Sequence, residues 1–497
     1  MDLKLLTNYF KLKLQNFFFQ YLHFKYREDL LKNIDTEKKL ALNSLKKNIF
    51  NGRSVIGFIP FIEDQTEIIL YNFFSTNYGF RSKGKFILSL TDENFLPIRS
   101  TIHDLNFRQI LSIKIDYKKC KTKPTFCVVL CIHDQIRINH GGSDGQLRFW
   151  GSWNNFSAFT HSFPMPLPSS RLLNLLSRVF KKKQIKKLGD RRIYPLNSNF
   201  AVHFSQGDGK IEIIHRGDLS EELDLSLGFS FLFSKDRLVT TCFHDSPFSR
   251  TKILDKILLK NHVIAFPVFP SIDALMYFGE CCSLGSVFIV ELFTHKSCEV
   301  PISKKTLEIK SFDSVRVSSL FPENDLIGKL ESWIVLKPLS GSHREFYVNT
   351  ILCNKDNHKL FDGIHSHNFS DAQLGSRALK FAPFKIGSNN KENSLDSIEF
   401  HSILAIFGHS DEEVPFRVRI YSEENSNFEI VKLGIQKPRE VSFIDMQKLF
   451  HENKLGSCYY VVQLESEICN LNANLYSASF DNNKNMISLS VDHLTGG

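Results

Sequence analysis

A mainly β chain is what the sequence predicts: three tandem homologous antiparallel β-sandwich domains, with an N-terminal amphipathic helical segment and a basic helix between the first two copies. Three observations predict it. The chain repeats itself internally, apolar residues alternate at period two within each copy, and the connections leave no room for the helical crossovers of a parallel sheet.

The repeat is clearest when read backwards from the last copy. From Phe416 the order is FRVRIYSEENSNF, VSFIDMQKLF, CYYVVQLES, NLNANLYSAS and SLSVDHLTGG. From Phe288 it is FIVELFTHKS, FDSVRVSSLF, SWIVLKPLS, REFYVNTILC and LFDGIHSHNF, and from Phe86 it is FILSLTDENF, RQILSIKID, FCVVLCIHD, GQLRFWGSW and FSAFTHSF. Leading Phe and closing His stand 75, 77 and 77 residues apart, at Phe86–His161, Phe288–His365 and Phe416–His493. Phe416, Val418 and Ile420 alternate with Arg417 and Arg419, which predicts one inward and one solvated face. Each copy offers about six or seven short strands in about 100 residues, the count and size of a sandwich.

In chain order, residues 1–50 form the helical segment, with Leu3, Leu6, Phe10, Leu14, Phe17, Tyr21 and Phe24 on one stripe and a second helix over about 36–49. It fits either as a helix packed on the first β domain or as a basic aromatic helix in an anionic membrane surface. The first copy takes 51–165. Residues 166–195 hold a Pro-rich exit (Pro164, Pro166 and Pro168 mark it) and a helix ending in KKKQIKK. A divergent β segment occupies 196–262, either a shortened copy or an insertion, with a hairpin predicted at Gly207-Asp208-Gly209. The second copy takes 263–370, a polar linker 371–398, and the third copy 399–497.

Composition narrows the function classes. At 42% hydrophobic and 23% charged residues, whole-chain disorder is excluded. The net charge of +9 divides into +5 over 1–50, +8 over 170–192 and −4 over everything else, so an anionic partner should meet those two stretches. An anionic membrane is therefore expected at residues 1–31 and 170–192. Nucleic acid is disfavoured, because no aromatic-interleaved basic sheet accompanies the basic helix. The ten cysteines are irregularly spaced without a CxxC pair, which removes zinc-ribbon and thioredoxin readings. No apolar run reaches the roughly 20 residues of a membrane span, and a cytoplasmic, reducing setting is expected, with membrane association through the basic segments. Phosphate-cradling, dinucleotide, zinc-protease and nucleophile-elbow motifs are absent from the sequence.

Two sets of residues remain as candidates. His140, Asp144, Arg148, Trp150, Trp153 and Asn154 surround a Gly-rich loop in the first copy, and flat rings beside polar forks suit a carbohydrate. The competing reading makes the tryptophans caps on the core; their odd spacing lets at most one be core. The second set is the closing histidines, His161, His365 and His493. Each could hydrogen-bond its own strand end, bind a ligand separately, or join the others on one divalent metal about a pseudo-threefold axis. Asp362 and Asp492 would serve as supporting carboxylates for the metal, and the lack of an acidic residue beside His161 counts against it. The expectation is a non-enzymatic binding or scaffold protein that takes carbohydrate or protein through sandwich loops. The alternative is a metal-dependent enzyme acting on a glycan or lipid-linked sugar.

Overall fold

The computed structural model describes residues 27–31, 34 and 39–50, and then, with gaps at connecting segments, 54–164, 194–245 and 261–496. Most of the first amphipathic helix and the whole basic helix of 170–187 lie outside the described residues.

The chain is mainly β. Helix α1 (Lys39–Phe50) leads into β1 (Ser54–Pro60), β2 (Thr66–Tyr71), β3 (Gly84–Thr91), β4 (Pro97–Leu105), β5 (Ile110–Lys114), β6 (Phe126–Ile132), β7 (Phe149–Trp153), β8 (Ala158–His161) and β9 (Phe163–Pro164). A middle set follows: β10 (Tyr194–Leu196), β11 (Asn199–Val202), β12 (Gly228–Ser234) and β13 (Arg237–Asp245). The next set is β14 (His262–Phe266), β15 (Ile272–Tyr277), β16 (Ser286–Thr294), β17 (Ser303–Ile309), β18 (Ser314–Arg316), the one-turn helix α2 (Val317–Leu320), β19 (Ser332–Ser340), β20 (Asn349–Asn354) and β21 (Leu360–His365). The last set is β22 (Ala378–Lys385), β23 (Gly387–Asn389), β24 (Ile398–Phe407), β25 (Val414–Ser422), β26 (Glu429–Gln436), β27 (Val441–Asp445), β28 (Tyr459–Ser466), β29 (Asn472–Phe480), β30 (Met486–His493) and β31 (Thr495–Gly496).

These strands make seven sheets, six of them antiparallel throughout. The orders β4-β3-β6-β1-β9 and β5-β2-β7-β8 recur as β17-β16-β19-β14 with β18-β15-β20-β21. They recur again as β26-β25-β28-β22-β31 with β23-β24-β29-β30, where β27 pairs β24 in the place of β5 and β18. One rule therefore describes all three sets: fourth-third-sixth-first in one sheet, fifth-second-seventh-eighth in the other, with β23 as an extra edge. The middle set is different. Its strands lie in simple order β10-β11-β12-β13 and β11 runs parallel to β12.

Period-two alternation produces the layers. In β25, Phe416, Val418 and Ile420 are buried while Pro415 is exposed and Arg417 and Arg419 lie partly in solvent. Residues from both sheets of a set merge into a common apolar cluster, as Ile68 and Leu70 of β2 do with Phe86 of β3 and Val129 of β6. β6 is buried along its whole length, because α1 packs against it and Leu45 and Ile49 join the same cluster.

The clusters do not stop at the repeat boundaries. Phe381, Phe400, Tyr459 and Val461 of the last set enter the first cluster, and Phe480, Leu489 and Val491 enter the second. The segment expected to be a linker accordingly supplies β22, which pairs with β28 from Ala378↔Ser466 to Lys385↔Tyr459. Pro383 and a short ALKFAPFK run hid this strand from a reading based on period.

Candidate functional site

The closing strands of the three sets meet. Cα atoms of β30 come within 8 Å of those of β21 and β8, and β13 lies equally close to β8 and β21. None of these contacts is a sheet ladder, so the edges are apposed without being hydrogen-bonded as neighbours. His161 stands opposite Trp150 in the β7–β8 register, His365 opposite Asn349, and His493 opposite Asn474. The strands that carry the three closing histidines are thus side by side. The side chains of His161 and His365 lie outside the described ones.

What the seam shows around His493 is a buried hydrogen-bond chain. His367, two residues beyond His365 and buried, places its ring 6.0 Å from that of His493 and 4.8 Å from Phe407. Its Nε2 lies 2.5 Å from Asn474 Oδ1, so the ring nitrogen donates to the amide carbonyl. Asn474 Nδ2 donates to the Tyr476 hydroxyl (3.5 Å), which donates to the Ala265 carbonyl (2.8 Å). Burial pushes the Tyr476 phenol up, which keeps it neutral and able to donate. The path runs from the second set to the third and back. Nearby, the fully buried Asp362 accepts from Val491 N of β30 at 3.2 Å and from Gly363 N at 2.9 Å. On the same side, Ser366 Oγ lies 3.0 Å from His262 Nδ1 and accepts from Val348 N. Asp492 is fully buried beside His493, with Oδ1 3.9 Å from Nδ1. These groups hold edges together. Among the described residues no group of three or more His, Cys, Asp and Glu could hold a metal ion.

A second contact of this kind is His295. Its Nδ1 reaches Glu440 at 2.9 Å and its Nε2 reaches Glu331 at 3.1 Å, while the ring meets Trp333 and Phe443 edge-on. The hydrogen bond to Glu331 is the largest influence on it; burial works against this and Glu440 adds to it, and the result is a raised imidazole pKa.

The Gly-rich loop divides between described and undescribed residues. His140, Asp144, Arg148 and Asn154 lie outside the described residues, as does the Trp153 side chain. Trp150 sits inside β7, fully buried, with its ring 5.8 Å from Phe381 in an edge-on pair, so its ring faces belong to the core and offer nothing to a sugar.

One concave feature lies where the sequence offered no motif. At a loop end of the second set a cavity of about 260 Å³ is lined by Ile272, Asp273, Ser318, Phe321, Pro322, Ile327 and Lys355. Asp273, almost wholly buried, accepts from Ser318 Oγ (2.7 Å), Ser318 N (3.1 Å) and its neighbour Ala274 N (2.8 Å), which fixes the start of α2. Arg316 stands 3.6 Å away. Next to the lining residue Ile327, Gly328 stands at φ +80°, where a Cβ would lie 2.5 Å from Ile272 Cγ2 and 2.6 Å from Phe269 O. Cys353, opposite Asp273 in the β15–β20 register, is buried, and desolvation raises its thiol to about 12. A single Asp, Ser and Lys far apart in sequence give no readable signal, which is why this site was missed.

No helix among the described residues is long and apolar enough to cross a membrane. Compared with protein-family models, with curated proteins and with solved structures, the chain matches none.

Proposed function

We propose that this chain is a non-enzymatic binding scaffold of three homologous antiparallel β-sandwich domains. The observation that carries this reading is the single strand-order rule obeyed by all three sets, with buried polar chains such as His367–Asn474–Tyr476 spent on joining them. A rigid array of loops results, and the cavity at Asp273 is where a ligand fits. Its volume is close to the lower bound of small-molecule pockets, about 300 Å³, which suits one sugar ring rather than a chain. Phe321 and Pro322 supply an apolar wall, while Ser318 and Lys355 supply polar forks for hydroxyls. Saturation-transfer NMR with glucose, galactose, mannose and N-acetylglucosamine tests it. Transfer to at least one sugar, lost in Phe321→Ala and Lys355→Ala, is expected; no transfer to any of them sinks the carbohydrate reading.

Attachment to an anionic surface through residues 1–31 and 170–192 belongs to the same proposal, supported by the +5 and +8 charge of the segments that contain them. Co-sedimentation with phosphatidylserine vesicles at low salt should pellet the chain and should weaken as salt rises.

A second reading has one observation in its favour. The apposition of β8, β21 and β30 brings the strands of His161, His365 and His493 together, as a shared metal centre in an enzyme acting on a glycan would need. Elemental analysis of purified protein decides it: stoichiometric zinc, copper or iron supports this reading, and a metal-free sample removes it.

A further inference from the structure

The fourth strand of each repeat is a sheet edge, and the three copies treat that edge differently. In the first, the outer side of β4 receives the backbone of Ile34, which bridges Ser100 in parallel. In the second, β17 turns Lys304, Thr306 and Glu308 outward, and Lys304 is held by the chain's own Glu291 at 3.3 Å. In the third, β26 turns out Val431 (48% exposed), Leu433 (70%) and Ile435 (63%). Among the described residues β26 pairs with β25 alone. An apolar edge without a bulge and with no described strand beyond it is a site for strand addition.

We propose that β26 pairs antiparallel with β26 of a second copy of this chain across a two-fold axis at Leu433. A two-fold normal to the sheet keeps each side chain on its own face, so only even registers are allowed. Centred on Leu433, the outer face sets Leu433 against its symmetry mate and Val431 against Ile435, twice. Beyond them Glu429, which Arg419 and Arg108 of its own chain also hold, faces the exposed Lys437, so opposite charges stand at both ends. On the inner face Lys432 meets Gly434. The Phe416 ring fills the space over that glycine, 2.4 Å from where a Cβ would stand, so the lysine stem would lie beside an aromatic ring. The apolar pairs and the charge pairs coincide in one register. The two five-stranded sheets then become one of ten strands.

The test is sedimentation velocity of the full chain over a concentration series, with two variants. Wild type is expected to shift from monomer to dimer with rising concentration, at the weak end of protein association because the contact is small. Leu433→Lys, which sets two ammonium groups face to face, should remain monomeric with an unchanged circular-dichroism melting curve. Leu433→Cys should give a disulfide-linked dimer under copper-catalysed air oxidation, above the background of the chain's own cysteines, because directly opposed Cα atoms lie about 4.5–5.5 Å apart. Monomeric wild type at every concentration overturns the proposal. So does a dimer that survives in Leu433→Lys, or a Leu433→Lys defect seen only in vesicle binding, which would assign the stripe to a membrane.

Discussion

Replacing Phe381 by Ala should unsettle the first repeat although the residue belongs to the third. Its ring is 1% exposed, lies in the first apolar cluster, and sits 5.8 Å edge-on from both Tyr71 and Trp150. Truncating a buried Phe costs about 3–5 kcal/mol in lost transfer energy and cavity. Each edge-on aromatic pair contributes about 0.5–1.5 kcal/mol beyond area, which lifts Phe381 off the bottom of the ~3–5 kcal/mol range to about 4 kcal/mol. With a urea slope of about 2 kcal/mol/M, the midpoint should fall by about 2 M. A chain of this size can unfold in steps, so a regional probe is needed. Trp150 and Trp153 stand in β7 and Trp333 in β19. In a Trp333→Phe background, fluorescence reports the first repeat alone. A β7 transition that moves by less than about 0.5 M, or about 1 kcal/mol, would refute the idea that the two repeats share a core through this ring.

The pH dependence follows from His295. Its folded pKa is raised, chiefly by Glu331, so the stability it contributes is fully present below the unfolded value of about 6.5 and is lost as pH rises through the folded value. His295→Gln should therefore cost most near pH 5.5 and little above pH 8, by no more than about 1 kcal/mol since the side chain is one-third exposed; thermal melts across that range check the sign. Cys353, with its thiol raised to about 12, should resist iodoacetamide at pH 8, where only about one in 10⁴ is thiolate, whereas the partly exposed Cys120 should label before the buried Cys127, Cys131 and Cys353; peptide mass mapping gives the order. Tyr459→Phe removes the 2.6 Å hydrogen bond from the phenol to Glu67 Oε2, which joins the first and third sets. A charge-assisted bond of this kind is worth about 1.5–3 kcal/mol, to be read in urea unfolding.

The β character was legible because it is written locally. Alternation such as Phe416, Val418 and Ile420 against Arg417 and Arg419 is a direct consequence of pleat geometry, and the structure buries the first three. Less was legible of how the strands assort. β22 escaped notice because its residues belong to two environments at once, Phe381 in the first cluster and Phe384 in the third, and no period encodes that. Pairing distances tell the same story: β1 meets β6, and β14 meets β19, across intervening strands that a local pattern cannot order. At the sites, the closing histidines drew attention through repetition, and the structure sets their strands side by side. His367 stood out in the sequence only as a neighbour of His365, yet its contacts with Asn474 and Phe407 are among those that tie the second and third sets together.

The shared clusters impose an order on synthesis. Phe381, Phe400, Tyr459 and Val461 complete a core whose other members begin at Leu30. At about 5–20 residues per second, translation takes tens of seconds to travel from the end of β9 to Val461. During that interval the first repeat exists on the ribosome with part of its interior missing and an apolar face uncovered. The second waits likewise for Phe480, Leu489 and Val491. A ribosome stalled before β28 would display a first cluster still lacking Tyr459 and Val461.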